Sequence, residues 1–288
     1  RCAGVTCPAW PAYAARCNAA DHCEYAPIAL DPPWRAFDVW IWIPPGAFPM
    51  GGPEDEADAL PRERPVHPVT FTAGFFIAKY ELAVALHEAC EAAGACATPT
   101  VADYDAEGFG LSRSANGRAA HPQNGVTWDE ARAACAWLTP GGRLPSEAEW
   151  ERAATGVAHR RFPWGEREAS CAEAVLDAGE GWGCGEGGTA EVGSRPAGAS
   201  AVGAMDMAGN LREWVEDCFH LDYQGAPDDG SVWVGGCVDP GVPGVRGGAF
   251  NYPAAYLRVA ERYGCPEALH IAYNGARCAR SALPAQGE

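Results

Sequence analysis

The sequence is poor in lysine, histidine and long apolar runs. It holds a single lysine, Lys79, only seven histidines, and no Cys-x-x-Cys pair among its thirteen cysteines. With 21 basic residues against 38 acidic ones, the net charge is −17. That balance excludes nucleic acid as a partner, because binding phosphates needs clustered Lys and Arg. It disfavours an anionic membrane surface for the same reason. No apolar run approaches the roughly 18–20 residues that span a bilayer, so no transmembrane segment is expected. No two histidines lie close enough to form a local metal clamp. Cysteines that are this numerous and lack metal-ligand spacing imply disulfides and an oxidising compartment. The chain is therefore read as secreted, periplasmic or displayed at the cell surface.

What is abundant is glycine (35), proline (24) and tryptophan (11). Such a chain builds turns and irregular loops, with large rings filling space that regular elements leave open. Residues 1–33 form a small cysteine-rich segment in which Cys2, Cys7, Cys17 and Cys23 allow three pairings. Asp31-Pro32-Pro33 marks its end, and residues 34–288 form the main domain. Val39-Trp40-Ile41-Trp42-Ile43 reads as a strand stopped by Pro44-Pro45-Gly46. Glu54, Asp55, Glu56 and Asp58 read as an exposed acidic loop. Val69–Tyr80 suggests further strand, and Leu82–Ala92 a helix. Thr127 with Glu130, and Ser146 with Glu149, have capping-box spacing and open two more helices. Cys90 with Cys96, Cys171 with Cys184, and Cys218 with Cys237 are spaced for local disulfides. Thirteen is an odd number, so at least one cysteine is left over.

Several phrases occur in a fixed order. They are Ile43-Pro44-Pro45-Gly46, Val126-Thr127-Trp128-Asp129-Glu130-Ala131, Gly142-Arg143-Leu144-Pro145-Ser146-Glu147-Ala148-Glu149-Trp150-Glu151, Phe162-Pro163-Trp164-Gly165, Asp206-Met207-Ala208-Gly209-Asn210, Arg246-Gly247-Gly248-Ala249-Phe250 and Gly275-Ala276-Arg277-Cys278. Together they resemble the formylglycine-generating (sulfatase-modifying factor) family. The resemblance implies a compact α+β fold, related to C-type lectins, with little regular structure and a disulfide framework. It also implies a disulfide between Cys135 and Cys278. With that pair assigned, Cys265 is the candidate for the leftover cysteine, and it is open to a bond with the N-terminal segment or with a partner chain, one route to self-assembly. Arg143 is expected to pair with Glu149 or Glu151, and Trp150 to anchor its helix in the core.

Enzymes of that family use a cysteine pair, which binds copper, in the segment after Arg-Gly-Gly. Here the corresponding positions fall at Ala254–Leu257 and Val259, and the stretch from Gly247 to Arg262 contains no cysteine. Neither copper nor iron is supported by the sequence, and formylglycine generation is not expected. The resemblance does imply calcium, with side chains of Asp206 and Glu213 and carbonyls of Gly209 and Leu211 as ligands. Tyr252, Tyr256, Arg258, Arg262, Tyr263 and Tyr273 are candidate rim residues for an unidentified protein or small-molecule ligand. The expected function is a non-catalytic, calcium-stabilised binding module. A metal-dependent oxidase and a structural component of an extracellular assembly are the alternatives.

Overall fold

A computed structural model describes residues 2–282, apart from 3–6, 9, 11, 12, 30, 32, 57 and 102–107. Pro32 of the expected boundary therefore lies outside the described residues. The strands are β1 (Tyr13–Cys17), β2 (Cys23–Pro27), β3 (Trp40–Ile43), β4 (Gly46–Met50), β5 (His67–Phe71), β6 (Phe75–Ala78), β7 (Gly142–Arg143), β8 (Arg212–Cys218), β9 (Pro243–Arg246), β10 (Arg262–Gly264), β11 (Asn274–Ala276) and β12 (Ala279–Ser281). The helices are α1 (Val84–Ala92), α2 (Trp128–Leu138) and α3 (Glu147–Thr155).

A six-stranded sheet has the order β1-β2-β3-β6-β12-β7, a four-stranded sheet the order β10-β9-β8-β11, and β4 pairs with β5 alone. The cysteine-rich segment supplies β1 and β2, so it extends the larger sheet, with β2 hydrogen-bonded to β3. Successive side chains of a strand point to opposite faces. In β3 both faces are buried. Trp40 and Trp42 join a core with Tyr25, Phe76 and Trp214, while Ile41 and Ile43 join a second with Phe75, Trp150 and Val215. A strand covered on both sides has no polar alternation, which is why the apolar run is continuous.

Both capping boxes form. The Glu130 amide donates to Thr127 Oγ1 at 3.2 Å and the Thr127 amide to Glu130 Oε2 at 2.9 Å. Ser146 and Glu149 repeat the arrangement at 3.1 and 2.9 Å. Arg143 grips Glu149 through both nitrogens, at 2.5 and 2.7 Å, and Trp150 is fully buried. The disulfides are Cys90–Cys96, Cys135–Cys278, Cys171–Cys184 and Cys218–Cys237, with Cys2–Cys17 and Cys7–Cys23 in the first segment. Cys265 is the free cysteine. It is buried, so it is not placed to bond a partner chain.

Two sequence readings need correction. Val69–Tyr80 is not one strand: the chain turns at Ala73-Gly74 and divides β5 and β6 between two sheets. A Cβ on Gly74 would lie 2.3 Å from the Trp42 ring, so only glycine fits at the turn. The acidic loop is not wholly exposed either. Glu56 accepts from Arg258 at 2.9 Å and contacts His159 Nε2 at 2.7 Å, which ties the loop down. Among the described residues no helix is long and apolar enough to cross a membrane.

Candidate ligand cavity

The Arg246-Gly247-Gly248 phrase ends β9 and turns the chain into a 3-10 helix at Ala254–Leu257. Both glycines have positive φ, +91° and +67°. A Cβ on Gly248 would stand 2.6 Å from the Tyr256 carbonyl oxygen, and one on Gly247 3.2 Å from the Trp150 ring. Close backbone approach of this kind is what glycine permits. It leaves a cavity of about 330 Å³ between this turn, β8 and β10.

Tyrosine and arginine dominate its lining. Arg62, Arg212, Arg246, Arg262, Tyr252, Tyr256, Tyr263 and Glu261 all contribute. Beneath it, Glu147 of α3 accepts from Arg262 Nε and Nη2, both at 2.7 Å, and from Arg246 Nη1 at 3.0 Å. Glu151 accepts from Arg246 Nη2 at 2.5 Å. Burial opposes charge on Glu147, but the two arginines outweigh it and hold its carboxyl below the usual range. Glu261 accepts from Arg62 at 2.5 Å. Burial and a hydrogen bond to Glu63 nonetheless push Glu261 up to about 7.

Of the six expected rim residues, Tyr252, Tyr256, Arg262 and Tyr263 line the cavity. Arg258 does not, and this corrects its reading as a ligand contact. It is buried and grips Glu63 at 2.6 and 2.8 Å while also donating to the Asp58 carbonyl at 2.8 Å. It thereby pins the loop that carries Arg62. Tyr273 is likewise not among the lining residues; its ring stacks 4.7 Å from the Arg212 guanidinium. Arg62 and Arg212 were missed. Arg212 stands within the phrase read for calcium, and nothing local marks it as facing tyrosines 40 or more residues away.

At the positions where the resemblance places the catalytic thiols, the chain packs inward. Leu257 and Val259 are buried in separate cores. The cavity lining contains neither cysteine nor histidine. Cys265 lies behind it. Asn274 Nδ2 approaches the Cys265 sulfur at 3.4 Å, and Asn274 Oδ1 accepts from Arg212 Nε at 2.9 Å. Burial pushes the Cys265 thiol up, which keeps it neutral and unreactive.

Two of the expected calcium ligands, Asp206 and Glu213, belong to a buried charge cluster. Glu213 Oε1 accepts from Arg277 at 2.7 Å, and Oε2 accepts from Trp150 Nε1 at 2.7 Å and Arg277 Nε at 3.0 Å. Asp206 Oδ2 accepts from the Gly193 amide at 2.6 Å. Glu81, absent from the sequence reading, accepts from the Leu211 amide at 3.0 Å and Asn210 Nδ2 at 2.7 Å. The only local sign of it is an acid three residues past the end of an apolar strand. Burial pushes Asp206 up to about 6, and burial with Asp206 and Glu213 holds Glu81 well above the usual range. Three carboxylates thus face one buried guanidinium, Arg277. These are hard oxygen donors of the kind calcium takes, but among the described residues the three carboxylates do not converge into a ready-made metal-ligand group. Glu213 is already committed to Arg277, so it would share its carboxylate with the ion.

A family model described as "Sulfatase-modifying factor enzyme 1-like domain" matches residues 31–282. The chain is 33% identical over 199 residues to the formylglycine-generating enzyme of Streptomyces coelicolor, covering 60% of this chain and 57% of that one. It is 36% identical over 166 residues to the serine/threonine-protein kinase pkn1 of Chlamydia caviae, covering 57% of this chain but 25% of the kinase. The chain therefore spans about a quarter of that relative and little over half of the other. Among solved structures, PvdO from Pseudomonas aeruginosa superposes with a TM-score of 0.70 at 30% identity, covering 85% of this chain and 94% of PvdO.

Proposed function

The chain belongs to the sulfatase-modifying factor family, and on that premise we propose that it is a secreted or periplasmic, non-catalytic binding module whose cavity receives a ligand. The observation that carries this reading is the lining itself. Tyrosine and arginine surround a space in which no thiolate or imidazole stands ready to hold a redox metal. Six disulfides among the described residues favour an oxidising compartment. Calcium, held by Asp206, Glu213 and the Gly209 and Leu211 carbonyls, would serve stability by balancing the buried carboxylates.

A second reading is a metal-dependent oxidase, and the similarity to a formylglycine-generating enzyme favours it. Elemental analysis of the purified protein, paired with oxygen-uptake measurements on a cysteine-containing peptide, decides between them. Calcium alone and no oxygen uptake is the expected result. Stoichiometric copper or iron with thiol-dependent oxygen uptake would overturn the binding-module reading.

A further inference from the structure

Four guanidiniums line the cavity, and three have carboxylate partners. Arg246 has Glu147 and Glu151, Arg262 has Glu147, and Arg62 has Glu261. Arg212 differs. It is 7% exposed and, among the described residues, makes no ion pair. Its hydrogen bonds go to neutral acceptors, Asn274 Oδ1 at 2.9 Å and the Tyr252 hydroxyl oxygen at 3.2 Å. The rings of Tyr252, Tyr263 and Tyr273 surround it at 5.5, 5.7 and 4.7 Å. Ring faces attract a cation, but far less than a counter-ion in a dry site does. In the same lining, the Nε atoms of Arg62 and Arg246 are buried without a hydrogen-bond partner. A buried donor left unpaired is costly.

We propose that the cavity binds a small aromatic carboxylate, its carboxylate paired with Arg212 and its ring lodged among Tyr252, Tyr256 and Tyr263. The proposal rests on the cavity being the binding site. The volume, about 330 Å³, is at the small end for ligand pockets and suits one ring with short substituents. Guanidinium recognises carboxylate through two parallel bonds, and the tyrosines supply flat apolar walls with hydroxyls at their edges.

Calorimetry and ligand-observed NMR with benzoate, benzamide and N-acetylphenylalanine test it on the intact protein. Benzoate and benzamide share shape and differ in charge, so the wild-type comparison needs no variant. Benzoate is expected to bind at least tenfold more tightly than benzamide. Arg212→Met should erase that difference, and Tyr256→Ala, at an exposed position, should weaken both. N-acetylphenylalanine mimics a peptide C-terminus, and its affinity relative to benzoate separates a chain end from a free acid. If benzamide binds as well as benzoate, or if only neutral fragments bind, the carboxylate inference falls and the cavity reading stands. If no fragment binds at the cavity, both fall.

Discussion

Glu147 and Arg262, 115 residues apart, meet in a two-bond ion pair with both contacts at 2.7 Å and both side chains buried. This pair, shared with Arg246, is the floor of the cavity. Removing one member of a buried pair strands the other charge, at a cost of about 3–5 kcal/mol. Glu147→Gln strands Arg262 and leaves Arg246 with Glu151 alone. It is expected to lower unfolding free energy by at least that amount, read from urea denaturation. A loss below about 1 kcal/mol would show that water already screens the floor.

The Cys135–Cys278 disulfide ties α2 to the end of the chain across a separation of 143 residues, whereas Cys90–Cys96 spans 6. In the chain-entropy model the long closure is worth about 5 kcal/mol and the short one about 2 kcal/mol. The paired alanine variants should rank in that order in denaturant midpoint. Equal losses would indicate that local packing of Cys135 and Cys278, and not loop closure, sets their worth.

Local chemistry made much of this fold readable before any coordinates. Thr127–Glu130 and Ser146–Glu149 satisfy helix ends within three residues, and β3 declares its double burial by an unbroken apolar run. The site was less legible because it depends on long-range pairing. Arg258 looked like a rim contact, yet Glu63, 195 residues earlier, takes it into the core. Arg212 sits in a phrase whose neighbours pointed to calcium, and only the β8–β11 pairing brings it beside Asn274 and Tyr273. Glu81 carried no motif; its role emerges from Asn210, 129 residues later.

Glu261 gives the cavity a pH dependence. Burial and Glu63 push its carboxyl up to about 7, against an unfolded value near 4.3. Between those values the folded state holds the extra proton, so stability falls as pH rises. The contribution of Glu261 is fully present below about pH 4 and lost as pH passes about 7. Glu261→Gln keeps the protonated shape without the ionisation. Its stability should therefore decline less than wild type between pH 4.5 and 7.5, measured by denaturant unfolding at each pH. Parallel curves for the two proteins would place the proton elsewhere, on Glu63 or outside the pair.

Calcium should act on the cluster of Glu81, Asp206 and Glu213 and not on the cavity. An ion that binds only the folded state stabilises it by about 2.7 kcal/mol at a hundredfold excess over Kd. For a domain somewhat larger than 250 residues, each kcal/mol moves Tm by roughly 2 °C, so calcium against chelator should differ by roughly 5 °C. Asp206→Ala removes a proposed ligand together with one of the repelling carboxylates. It should thus abolish the calcium response, while in chelator the relieved repulsion offsets the lost hydrogen bond from the Gly193 amide. Should Tm be the same in calcium and in chelator, the carboxylates are balanced by protons instead. In that case the wild-type protein in chelator would gain stability on acidification toward pH 5, and Asp206→Ala would lose its share of that gain while Glu261 and Glu81 keep theirs.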